Sequence, residues 1–124
     1  MPREATVWLR MEGAGVLIVS LLLYNRLGAG WLIFLVLLFV PDFSMLGYLA
    51  GKRVGATIYN AAHTYVAPLV LAVAGLLLDA ATPVWLATIW TAHIGLDRLL
   101  GYGLKLTTGF RDTHLGPIGR TARP

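Results

Sequence analysis

The sequence contains no cysteine, which rules out disulfides and thiolate metal ligands and leaves the redox compartment unmarked. Any metal would have to be held by nitrogen and oxygen. Charge is also scarce: 13% of the 124 residues are Asp, Glu, Lys or Arg, against about 25% in an ordinary soluble domain. There is no Walker motif, nucleophile elbow or dinucleotide fingerprint. The glycine pairs Gly13/Gly15, Gly28/Gly30 and Gly101/Gly103 fit helix packing and helix ends better than phosphate loops. Internal repeats and low-complexity tracts are missing too.

Hydrophobic residues make up 57% of the chain and the mean hydropathy is +0.72, which places it in a membrane. Four apolar segments stand out, at about residues 8–25, 31–51, 54–79 and 83–102, followed by a polar tail at 103–124. The first has no small-residue cleavage site after it and is expected to be a retained helix. The connections "RLGAG", "KR" and "AATP" are short, so consecutive helices should be antiparallel neighbours. The expected fold is an all-α, integral membrane four-helix up-and-down bundle forming a single transmembrane domain.

Lysine and arginine set the orientation. Nine of the ten fall toward one face, Arg26 being the exception, so the positive-inside rule makes both termini cytoplasmic in a multi-pass protein of the bacterial inner membrane. The net charge of +4 follows from this topology and suits anionic lipid. With no base-stacking or phosphate-cradling pattern, nucleic acid is not an expected partner. Trp8, Trp31 and Trp85 lie near span ends, where an indole anchors at the headgroups. Apolar runs such as "LLLY" and "LVLLF" leave surface for lipid or for a homo-oligomer.

Against this background the ionisable residues inside the spans are conspicuous. Asp42 lies nine residues before Gly51, His63 nine after Val54 and His93 nine before Tyr102. At 1.5 Å per residue each is about 13 Å inside the same boundary, on three different helices. Asp97 follows His93 by four residues and shares its helix face, while Asn60 and His63 share another. A charge at the bilayer centre costs about 2.5–3.5 kcal/mol on insertion scales, so these groups should face inward and satisfy one another. Pro41 should kink the second span by depriving the Leu37 carbonyl of its donor, and Pro68 should do the same to the Thr64 carbonyl.

Two histidines and two carboxylates form a ligand set for zinc, manganese or iron: Asp42, His63, His93 and Asp97. Tyr59 and Asn60 would orient a ligand, Glu12 and Arg98 would pair on the cytoplasmic side, and His114 could fold back over the mouth. With a metal bound, Asp42 or Asp97 could serve as general base in hydrolysis of a lipid-like, membrane-associated substrate. Other readings stay open. His63 and His93 could be axial ligands of a haem in an electron carrier, the four groups could relay protons or ions, or they could form a polar network in a structural or accessory protein. Whether the protein is an enzyme is left open.

The motifs "PDFSMLGY", "YNAAHTYVAP", "HIGLDRLLGYGLK" and "THLG", in that order over about residues 13–116, resemble a family of small bacterial membrane proteins, domain of unknown function 4260. The resemblance implies a membrane location and four helices, but no activity. Its signature positions correspond to Pro41, Asp42, Tyr48, Asn60, His63, His93, Asp97, Arg98, Thr113 and His114. A fainter similarity, through "PD" (Pro41, Asp42) and "TH" (Thr113, His114), links the chain to inner-membrane metal-dependent hydrolases.

Overall fold

A computed structural model describes residues 3–102, which hold helices and short turns and no strand. The elements are α1 (Arg3–Leu27), α2 (Trp31–Leu37), a 3₁₀ segment (Val40–Ala50), α3 (Lys52–Ala62), α4 (Val66–Leu77) and α5 (Ala81–Leu100). The polar tail at 103–124 lies outside the described residues. Three stretches are long and apolar enough to cross a membrane: Arg3–Leu27, Trp31–Ala50 and Lys52–Leu77. No more than 17% of the most apolar window of any of them is buried, so their side chains, Leu22, Leu49 and Leu77 among them, point outward. An apolar surface of that extent belongs against lipid.

Both central spans are broken where continuous helices were expected. The Pro41 nitrogen cannot donate to the Leu37 carbonyl, and α2 stops at Leu37. The Asp42 N–H donates instead to the Phe39 carbonyl three residues back, at 3.1 Å, which starts the 3₁₀ segment. Eleven residues is long for this conformation, which seldom runs past three or four. With three residues per turn, Phe43, Leu46 and Leu49 form one exposed stripe while Asp42, Met45 and Tyr48 align on an inner face. The second break, at 63–65, puts Pro68 in the first turn of α4, where the missing N–H would have had no helical partner. α1 starts at Arg3, five residues ahead of expectation, with Glu4 in its first turn to complement the helix dipole.

The last helix among the described residues is their core. α5 corresponds to the fourth expected span but is not apolar enough to stand with the other three. It is instead the most buried helix, with Ala92 and Ile94 fully enclosed. α1 and α4 pack along it. The α1–α5 crossing depends on Gly13 and Gly95: a Cβ on Gly13 would lie 2.7 Å from the Gly95 carbonyl oxygen, and one on Gly95 2.9 Å from that of Gly13. The 3₁₀ segment and α3 form a hairpin of their own around Gly51, whose φ of 117° suits glycine at the bend. The Tyr48 ring covers Gly55 across that hairpin. The main partner of α1 is therefore α5, and strict packing of chain neighbours does not occur among the described residues. At the far end Trp31, expected as an anchor, packs edge-on against Phe34 and beside Tyr24.

Candidate metal centre

Each break places one side chain at the seam between the hairpin and α5. Asp42 stands in the first turn of the 3₁₀ segment. His63 caps the C-terminus of α3 with φ −117° and ψ 16°, its N–H bonded to the Asn60 carbonyl at 3.1 Å. His93 and Asp97 lie one turn apart on α5. All four side chains converge.

The Nε2 atoms of His63 and His93 are 3.1 Å apart, and Asp42 Oδ1 is 3.2 Å from each. Asp97 Oδ2 is 3.5 Å from His63 Nε2 and 3.4 Å from His93 Nε2. One ligand atom from each residue falls within 4.8 Å of all the others, a group that could hold a metal ion. His63, His93 and Asp97 are buried, whereas the Asp42 side chain is 34% exposed. The site's open side is at Asp42.

The tautomer of His63 follows from its other nitrogen. Nδ1 lies 2.8 Å from the Tyr59 carbonyl oxygen, which can only accept, so Nδ1 carries a proton, and in the neutral tautomer this fixes, Nε2 would present a lone pair. That lone pair meets two carboxylate oxygens and a second imidazole nitrogen. Electron-pair donors at these separations repel unless a cation or a shared proton lies among them. The Tyr59 ring also stacks on His63 with centroids 3.7 Å apart, fixing its plane. His63 thus has the outer support usual for a metal-bound imidazole. His93 lacks it, since its buried Nδ1 has no hydrogen-bond partner among the described residues.

The break in the helix also frees two carbonyls, and α5 supplies donors for both. Trp90 Nε1 donates to the Ala62 oxygen at 2.6 Å and Arg98 Nη2 to the His63 oxygen at 2.7 Å. Arg98 Nη1 donates to the Tyr102 carbonyl at 2.9 Å, just past the end of α5. The expected Glu12–Arg98 pair does not form: the guanidinium is turned toward backbone oxygens, and every ion pair among the described residues involves His63 or His93. The sequence reading missed Trp90. Its place three residues before His93, on the same helix face, was the available signal. Asn60 supplies its carbonyl to the His63 cap. His114 lies outside the described residues.

A porphyrin does not fit between these histidines. Their Nε2 atoms are in direct contact at 3.1 Å, their ring planes meet at 63°, and two carboxylate oxygens occupy the adjoining space. Axial ligands would have to face each other across a macrocycle.

Fold and site together define an all-helical, bilayer-exposed protein with a His₂Asp₂ cluster at a helix break. Residues 6–118 match the family model described as Domain of unknown function (DUF4260), and the chain belongs to that family. No curated protein and no solved structure matches it.

Proposed function

We propose that Asp42, His63, His93 and Asp97 bind a single zinc ion and that the site hydrolyses an ester of a membrane-associated substrate. The observation that carries the metal reading is that five of the six separations among the four donors lie between 3.1 and 3.5 Å, with the carboxylate pair inside the 4.8 Å that spans the group. Tetrahedral zinc with bonds of about 2.0–2.1 Å requires donors about 3.3 Å apart. Manganese and iron use the same donors but favour more ligands, so they rank behind zinc.

The unequal burial of the carboxylates supports the hydrolytic reading. Asp97 is 11% exposed and rides on the same rigid helix as His93, which suits a permanent ligand. Asp42 is the exposed member and sits on a 3₁₀ segment, which suits a group that leaves the metal and handles protons. Three buried ligands and one vacated position is the usual catalytic arrangement. A bound zinc ion supplies Lewis acidity, polarising a carbonyl and acidifying water. Asp42 takes the proton from water as oxygen adds to the acyl carbon, and returns it to the alcohol oxygen as the acyl C–O bond breaks. The lysine and arginine bias supports a cytoplasmic location for the Lys52–Arg53 turn and for both termini, in a bacterial inner membrane.

A structural zinc is the second reading, favoured because four protein ligands fill a tetrahedron, as in closed structural sites. Asp42→Asn separates the two. In the hydrolytic reading the variant keeps zinc and loses turnover of lipid esters. Loss of zinc together with loss of folded protein supports the structural reading.

A further inference from the structure

Beside the ligand cluster, between the 3₁₀ segment, α4 and α5, lies a cavity of about 270 Å³. It does not extend from the cluster at random. Pro41 in its wall immediately precedes Asp42, and Ile89 and Trp90 lie one turn before His93. The rest of the wall, Leu37, Val40, Leu71 and Leu86, continues in one direction. Leu37 and Val40 come before Asp42, Leu86 before His93, and Leu71 after His63 on helix α4. Every one of these offsets leads away from the Gly51 turn, so the cavity lies next to the cluster on the side away from that turn.

The lining bears no charge and no free hydrogen-bonding side chain. Its one polar side-chain atom, the Trp90 indole nitrogen, is already committed to the Ala62 carbonyl. An occupant can gain there only by burying hydrocarbon. The volume is just below the usual range of small-molecule sites, which suits one chain and not a pair of chains. The shape therefore prescribes an amphiphile: a polar group at the Asp42 side of the cluster, with a single tail running away from Gly51. Lipids in the leaflet on the Gly51 side have that polarity already.

We infer that the cavity holds the acyl chain of the substrate, and that the substrate class is a fatty-acyl ester drawn from the leaflet on the Lys52–Arg53 side. This inference rests on the hydrolytic reading for the bond that is broken, but the seat for the chain stands on the cavity alone. The acyl carbon would lie at the ligand cluster, and the released product would be a fatty acid.

The test is photo-crosslinking of the full chain in lipid nanodiscs with a fatty acid carrying a mid-chain diazirine, with zinc content measured on the same sample. The expected result is labelling of Leu71, Leu86 or Ile89 in excess of the exposed residues Leu22 and Leu49, lost in Leu86→Trp with zinc retained. Leu71→Phe fills the same space from α4 and guards against misfolding of the first variant. Labelling spread over the exposed residues and unchanged in both variants would overturn the inference while leaving a zinc site intact. Cavity labelling without any zinc would support the acyl seat and overturn the metal reading.

Discussion

His63 holds the site together at the scale of single residues. Its side chain contributes Nε2 to the cluster, its Nδ1 is held by Tyr59, and its carbonyl is held by Arg98. Arg98→Met should leave the four ligands in place but release the capped end of α3, lowering zinc affinity about 10–100-fold, as loss of outer-shell support commonly does. A competition titration against a chelating dye reads this directly. Trp90→Phe should cost about 1–3 kcal/mol of stability by leaving the half-buried Ala62 carbonyl unpaired, measurable by denaturation in detergent. The gathering of Asp42, His63, His93 and Asp97 was legible in the sequence because rise per residue converts position into depth. Arg98 shows where that method stops. Counting put Glu12 and Arg98 at one depth, but depth carries no information about azimuth, and the guanidinium found carbonyls freed by a break that counting could not see.

At the scale of elements, the 3₁₀ segment and the glycine crossing position the site. In an α-helix Tyr48, six residues beyond Asp42, would be turned about 120° away from it, whereas three residues per turn aligns the two. Pro41→Ala restores the donor for Leu37 and should let the α-helix continue, rotating Asp42 away from the histidines. Zinc affinity should fall while helix content measured by circular dichroism is kept; unchanged affinity would show that Pro41 does not set the register. The two prolines signalled the breaks, but an isolated proline in a membrane helix can mean a kink or an interruption, and neighbouring donors decide which. Gly13→Ala should destabilise by about 1–3 kcal/mol, because its Cβ meets the Gly95 backbone. Gly15→Ala, with nothing within 4 Å, should be tolerated. Thermal unfolding of the pair in one detergent gives the comparison.

For the whole molecule, two bodies meet at the cluster. α1 and α4 clasp α5, the 3₁₀ segment and α3 clasp each other, and the side chains that join the two sets include the His₂Asp₂ group, Trp90 and Arg98. A bound metal should therefore fasten the hairpin to the core. Chelation should speed hydrogen exchange in residues 40–62 and leave the α1–α5 crossing near Gly13 and Gly95 protected. Hydropathy made the membrane class and the helical fold plain from composition alone. It also ranked the four spans alike, and so hid the inversion in which α5, the least apolar of them, forms the core because its polar groups need shelter from lipid.

The central claim is that four converging donors hold a metal. Its most direct test is elemental analysis by mass spectrometry of the full chain purified without chelator, wild type beside His93→Ala. The account predicts close to one zinc per wild-type chain and loss of it in the variant with the fold retained. Wild-type protein with no bound metal, folded as well as the variant, would contradict it.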